Sequence, residues 1–255
     1  MPGKFDGKRV LITGGGSGIG REIARSFLEA GARVIICGRR HGPLKATVDE
    51  LKAHAGNLHF VECDISDPDD VDALVKRTGE LIGGLDILVN NAGITEQGTL
   101  DSTELRTFDR VMNVNLRGVF VVTKACLPLL RQAGRGSCVL NISSTLGQAA
   151  EEHTLVYSVS KAALDHFTRC CALDFAPEGI RFNAVAPGVV DTPMQDRVKG
   201  ELGYQEWRHQ MEQLHPLGSI GLPKDVAAAG LFLCSPDAEW ITGVIMPVDG
   251  GITAR

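Results

Sequence analysis

Three groups able to work on a carbonyl lie in one short stretch, STLGQAAEEHTLVYSVSK, which runs from Ser144 to Lys161. Tyr157 and Lys161 are four residues apart. In a helix that spacing stacks the two side chains on one face, so the ammonium can sit beside the phenol and favour its ionised form. A free tyrosine titrates near about 10, so one that exchanges protons near neutrality needs such a neighbour. A serine hydroxyl, from Ser143 or Ser144, could hydrogen-bond the same oxygen. Together these groups could protonate a carbonyl oxygen as its carbon is reduced, or take the proton of an alcohol as it is oxidised. A buried tyrosine beside a solvated lysine would have the same spacing, so the elements on either side must decide.

Those elements alternate. RVLIT (9–13) is a continuous apolar run of the kind a buried parallel strand shows. A glycine-rich turn then leads into a helix with Ile19, Ile23, Ala24, Phe27 and Leu28 at helical spacing, ended by Gly31. ARVIICG is a second strand, followed by a helix over about 42–55, the strand HFVEC, and a helix that starts after a Ser66/Asp67 cap with Pro68 in its first turn. The strand DILVNNAG comes next. The second half repeats the order with a helical region from about Thr103 to Gln132, the strand SCVLNIS, and a helix holding Tyr157 to about Phe175. IRFNAVA, an irregular segment over about 187–223, a helix over about 223–234 and a last strand in VIMPVDGG complete it. The expectation is an α/β chain, 1–255, forming one domain: a doubly wound, seven-stranded parallel sheet with helices on both faces. Ligands of such sheets bind beyond the carboxyl ends of the strands, so the residues found there define the site.

After the first strand come Gly14, Ser17, Gly18, Ile19 and Gly20 in the pattern T-G-x-x-x-G-x-G, where bare backbone can approach a pyrophosphate at a helix N-terminus. Gly38-Arg39-Arg40 follows the second strand without an acid for a ribose 2′-hydroxyl. Arg39 therefore favours the 2′-phosphate of NADP(H), with NAD(H) the second choice. Asp64 and Ile65 follow the third strand, where Asp64 could accept from an adenine amine or start a turn. Asn90, Asn91, Ala92 and Gly93 follow the fourth. Ser143 and Ser144 follow the fifth, and Pro187, Gly188, Val190 and Thr192 the sixth.

With these pieces in this order (TGGGSGIG, NNAG, Asn115 of NVNL, NISS, YSVSK, the PG of VAPGVVDTP and VDGG) the chain resembles the short-chain dehydrogenase/reductase family over essentially its whole length. The resemblance implies a Rossmann fold in which Gly14, Gly18 and Gly20 form the phosphate turn and Asn90 supports the central strand. Asn115, Ser144, Tyr157 and Lys161 would be the catalytic set. It selects Ser144 over Ser143, being thirteen residues before Tyr157 and three before Gly147. It also implies that Asn115 anchors a water on the proton path, that a substrate lid spans about 194–217, and that helices pair across a twofold axis into a homotetramer, with a dimer second. Cofactor contacts are expected from Gly14, Ser17, Gly18, Ile19, Gly20, Arg39, Asp64, Ile65, Asn91, Ala92, Gly93, Tyr157, Lys161, Pro187, Gly188, Val190 and Thr192. Substrate contacts are expected from Ser144, Gln148, His153, Tyr157 and Met194, with Glu151 and Glu152 beside them disfavouring a strongly anionic substrate.

Composition narrows the rest. The net charge of -5, without a basic run beyond Arg39-Arg40, argues against nucleic acid or an anionic membrane as partner. Seven cysteines, an odd number without a C-x-x-C pair, read as reduced core residues of a cytoplasmic protein, and the scattered histidines make no metal site. No apolar run is long enough for a signal peptide or a membrane span. The reading is an NADP(H)-dependent oxidoreductase acting on a carbonyl or secondary alcohol. The alternatives are a 3-oxoacyl-thioester (acyl carrier protein) reductase, an NAD-dependent sugar, polyol or hydroxysteroid dehydrogenase, and, from another class, a non-catalytic dinucleotide sensor.

Overall fold

In the computed structural model, which describes residues 3–197 and 203–254, seven strands form one fully parallel sheet. They are β1 (Arg9–Thr13), β2 (Arg33–Gly38), β3 (Leu58–Glu62), β4 (Ile87–Asn90), β5 (Cys138–Ile142), β6 (Arg181–Pro187) and β7 (Ile245–Val248), in the order β3-β2-β1-β4-β5-β6-β7. The order reverses between β1 and β4, which opens the crevice where a sheet of this type takes its ligand.

Both faces of the sheet are covered, and the strands are apolar at successive residues for that reason. Val10 and Ile12 pack with Phe27 of α1 (Gly18–Glu29), Leu44 of α2 (His41–Glu50) and Val226 of α8 (Pro223–Cys234). Leu11 and Leu88 point to the other face, against Leu74 of α3 (Pro68–Ile82), Val122 of α5 (Val119–Ala133) and Ala172 of α6 (Leu155–Phe175). Helix ends follow the residues available. Asp67 accepts from the Asp69 N–H at 2.9 Å ahead of Pro68, and α3 stops at Gly83 with φ 79°.

Polar residues buried between layers tie strands to helices. Asn90 Nδ2 donates to Asn141 Oδ1 at 2.9 Å and to Thr123 Oγ1 at 3.0 Å, and Asn141 Nδ2 donates to Thr168 Oγ1 at 2.8 Å. Arg9, the first residue of β1, and Asp86, just before β4, share an ion pair with Nε to Oδ2 at 2.7 Å.

The helical region expected from about Thr103 to Gln132 runs from Leu105 to Ala133 with a change of winding inside it. α4 (Leu105–Met112) passes into a π-turn, Asn113–Gly118, before α5. The segment expected to be irregular contains a 3₁₀ turn (Pro193–Arg197) and α7 (Tyr204–Leu214). The expected lid at 194–217 thus includes residues 198–202, which lie outside the described residues. All seven cysteines are free. No helix among the described residues is long and apolar enough to cross a membrane.

Candidate active site

The turn after β1 is built for close approach. Gly14 and Gly18 have φ of +69° and +54°, and a Cβ on Gly14 would lie 2.9 Å from the Cα of Ala92. A Cβ on Gly20 would lie 2.3 Å from Asn91 Nδ2 and 2.5 Å from the Gly14 oxygen. Asn91 holds this turn from the neighbouring strand end, donating to Thr13 O at 2.8 Å and Gly14 O at 3.2 Å. The Thr13 hydroxyl accepts from the N–H groups of Asn91 and Ala92 at 3.1 and 3.0 Å. Ser17 precedes α1 without a side-chain cap, and no acid stands in the first turn. The helix N-terminus is therefore left for an external anion, and the residues present fit a dinucleotide.

Arg39 and Arg40 follow β2. Arg39 is exposed, with its Nη1 3.8 Å from Asp64 Oδ2. Asp64 also starts a turn, accepting from the N–H and hydroxyl of Ser66 through Oδ1 at 3.0 and 2.7 Å. Ile65 is buried against Gly118. Beyond β6, Gly188 N donates to Val248 O at 3.1 Å, Val190 O accepts from Gln195 Nε2 at 3.1 Å, and Thr192 lies against Gly18. His215, buried at the end of α7, was not expected here. Its Nε2 accepts from Val189 N at 3.3 Å while Nδ1 donates to Met211 O at 2.7 Å. At the other end of α7, the Tyr204 hydroxyl donates to Asp191 Oδ2 at 2.7 Å. α7 is thus fastened to the loop after β6 at both ends.

The structure brings Ser144, Tyr157, Lys161 and Asn115 together at the carboxyl ends of β4 and β5. Ser144 opens a 3₁₀ turn (Thr145–Gly147), accepting from Leu146 N at 3.2 Å, and its hydroxyl lies close enough to the Tyr157 phenol to act on it. Tyr157 and Lys161 occupy successive turns of α6, with Lys161 Nζ 5.7 Å from the ring centroid. Lys161 is buried, donates to Ile142 O at 2.7 Å, and has its pKa brought down to about 8 by burial, against an opposing pull from Asp165. Burial raises the Tyr157 pKa and the Ser144 hydrogen bond partly offsets this. The Lys161 ammonium donates to the Ile142 carbonyl and not to the phenol oxygen.

Asn115, in the π-turn, is fully buried. Its Oδ1 accepts from Ile94 N at 2.9 Å, and its Nδ2 donates to Ile94 O at 2.9 Å and Ser160 Oγ at 3.0 Å. The Ser160 hydroxyl donates to Tyr157 O at 2.7 Å, so Asn115 joins the loop after β4 to the helix of Tyr157. Gly93 lies between them; its Cβ would be 3.4 Å from Asn115 Oδ1 and 3.6 Å from Lys161 Nζ. Ser143 stands apart, facing Asp165 and contacting Lys161 O at 3.5 Å.

The expected substrate residues outside this cluster are not drawn into it. Gln148, His153 and Met194 have exposed side chains, and no hydrogen bond or ion pair links them to it. His153 has φ 60°, unusual for a non-glycine residue, and its carbonyl accepts from Gly98 N at 2.8 Å, pinning the loop ahead of α6. Among the described residues no cluster of His, Cys, Asp and Glu could hold a metal ion.

The same organisation recurs among known proteins. The family described as Enoyl-(Acyl carrier protein) reductase matches residues 14–253. An uncharacterized oxidoreductase of Thermotoga maritima is 40% identical over 251 residues, 98% of this chain and 99% of that protein. The 3-oxoacyl-[acyl-carrier-protein] reductase FabG of Aquifex aeolicus is 38% identical over 251 residues, 98% of each. A crystal structure of a short-chain dehydrogenase/reductase, glucose/ribitol dehydrogenase, from Brucella melitensis superposes with a TM-score of 0.91 at 29% identity, covering 99% of each chain. A glycine turn at the switch point, a Ser-Tyr-Lys cluster beyond β5 and full-length relatives together place this chain in the short-chain dehydrogenase/reductase family of oxidoreductases.

Proposed function

We propose that the chain is an NADP(H)-dependent oxidoreductase for a carbonyl or secondary alcohol, with Tyr157 as general acid and base. The observation that carries this reading is the convergence of the Ser144 hydroxyl, the Tyr157 phenol and the buried Lys161 ammonium beside the glycine turn. When bound, the nicotinamide group supplies or accepts the hydride. Ser144 donates to the substrate oxygen and orients it. Tyr157 gives that oxygen its proton in reduction and removes it in oxidation. Lys161 keeps positive charge at the site, and Asn115 holds the loop after β4 against α6 and would anchor a water for proton exchange. Gly14, Gly18 and Gly20 would hold the pyrophosphate, and Asn91, Ala92, Gly93, Pro187, Gly188, Val190 and Thr192 would line the rest of the cofactor site.

Arg39 supports NADP(H) over NAD(H): it is exposed after β2 and no carboxylate on its own strand end competes for a ribose hydroxyl. A sugar or polyol dehydrogenase is the second reading. It is favoured by a half-open cavity of about 240 Å³ beside the loop after β6, lined by Asp191, Thr192, Pro193, Gln195, Asp196 and Tyr204, whose hydroxyl, amide and carboxylates could bind sugar hydroxyls. A homotetramer in the cytoplasm completes the proposal. It is supported by exposed Leu105, Phe108, Phe120, Leu155 and Val159 on α4, α5 and α6, and by free, mostly buried thiols. The test is a panel of ketones, 3-oxoacyl thioesters, aldoses and polyols followed by NADPH and NADH absorbance. Turnover with NADPH is expected, and binding of NADPH without turnover of any member would favour a dinucleotide sensor.

A further inference from the structure

Tyr157, Lys161 and Asp165 stand at successive four-residue steps on one face of α6, and only the first two have been given work. Asp165 is 2% exposed, and neither carboxylate oxygen has a hydrogen-bond partner. A carboxylate so placed costs folding free energy unless something nearby answers it. Two features do. Lys161, itself 4% exposed, lies one turn back on the same helix and attracts it. The turn that carries Ser144 is also pressed onto α6 at this level: a Cβ on Gly147 would lie 2.8 Å from Asp165 Oδ2 and 2.9 Å from the Lys161 carbonyl carbon. The Ser143 hydroxyl faces the carboxylate from the end of β5, and Arg169 acts on it from the next turn of α6.

We propose that Asp165 is a positioning residue for Lys161, its carboxylate keeping the buried ammonium charged and seated between the Ser143–Gly147 turn and Tyr157. This rests on the reading of Lys161 as part of the catalytic set. The charges support it, since each member of the pair opposes the shift that burial imposes on the other. Burial lowers Lys161 to about 8 while Asp165 pulls it up, and burial raises Asp165 while Ser143, Arg169 and Lys161 pull it down. With Asp165 neutral, Lys161 sheds its proton at lower pH, and the positive charge beside the phenol goes with it.

The experiment is a double-mutant cycle on the full-length protein, comparing Asp165→Asn, Lys161→Met and the double variant by urea unfolding at about pH 7 and about pH 9.5. The expected result is a coupling at the lower pH that disappears at the higher, where Lys161 has lost its charge. Where Asp165→Asn leaves the buried ammonium without a compensating charge and the protein too unstable to measure, Lys161→Met should restore folding, which is the same coupling. A cycle without coupling, a coupling of equal size at both pH values, or a double variant that folds no better than an unfolded Asp165→Asn would overturn the proposal, because packing alone would explain each. In turnover, the alkaline limb of kcat/KM for carbonyl reduction should move to lower pH by about half a unit or more in Asp165→Asn. The unfolding cycle needs no substrate, so failure of the oxidoreductase reading and failure of the Asp165 proposal give different results.

Discussion

Replacing Gly20 by alanine sets two opposing effects against each other. Gly20 is the third residue of α1, and alanine in a helix is favoured over glycine by about 1 kcal/mol. The new Cβ, however, would meet Asn91 Nδ2 at 2.3 Å and Gly14 O at 2.5 Å. Ordinary carbon contacts lie near about 3.5 Å, so roughly 1 Å must be found. The Asn91 amide cannot yield it without losing its bonds to Thr13 O and Gly14 O, each worth about 1 kcal/mol net. Overpacking adds about 1–3 kcal/mol. The balance is a loss of about 2–4 kcal/mol, or roughly 10 °C in melting temperature for a chain of this size. Gly79 in α3 is the matched control, since nothing lies within 4 Å of its Cβ position. The same substitution there should stabilise by up to about 1 kcal/mol. The assay is thermal melting by circular dichroism, with NADPH affinity read by nucleotide fluorescence, which only Gly20→Ala should weaken. Gly20→Ala melting at or above wild type would show that the turn has slack and that close approach does not determine the residue. A matching loss in Gly79→Ala would trace the cost to something other than this contact.

Tyr157→Phe should lower kcat by about 10²-fold or more with NADPH affinity nearly unchanged, and near-normal turnover would remove Tyr157 as the acid. Arg39→Ala should raise the KM for NADPH far more than that for NADH; equal effects would end the case for NADP(H). Asp86→Asn should cost about 2 kcal/mol in urea unfolding at neutral pH, since Arg9 loses its partner. Burial raises the Asp86 pKa, but the hydrogen bonds and charge of Arg9 more than offset it, leaving the folded value below 3.8. That contribution is present above the unfolded pKa and is lost as pH falls through the folded one, so the two proteins should begin to converge near about pH 4 and meet only below the lowered folded value. Phe120→Glu on the exposed face of α5 should reduce the assembled mass in light scattering, and an unchanged mass would place the subunit contact elsewhere.

The sheet was legible because its strands are short β-branched runs punctuated by glycine, and β1 occupies the five residues of RVLIT. The glycine turn and the Tyr157–Lys161 pair were legible as local spacing. What escaped notice depends on contacts between distant residues. Nothing in NVNLRG distinguishes a π-turn from an ordinary helix, although the turn sets Asn115 against Ile94 and Ser160. In AALDHF, Asp165 reads as a solvent-facing residue of an amphipathic helix, and its burial comes from the neighbouring turn at Gly147. His215 in HPLG reads as loop, and its hold on Val189 exists only because α7 folds back over the strand ends. The tightness at Gly20 likewise needs Asn91, seventy-one residues away in sequence.

The amides of Asn90 and Asn141 have a bearing on assembly that their burial does not suggest at first. Parallel strands covered on both faces are apolar along most of their length, so oil alone scarcely tells one alignment from another. Sliding β4 along β5 by two residues would keep each side chain on its face and still bury the same kinds of groups. It would, however, break the pairing of Asn90 with Asn141, which stand opposite each other in the ladder, and leave amides without partners at about 1–3 kcal/mol each. The amides thus act as a vernier for the growing sheet. Because Asn91 follows one strand directly and Ser144 closely follows the other, the vernier also sets the height of the phosphate turn's support against that of the hydroxyl group, before any ligand has entered.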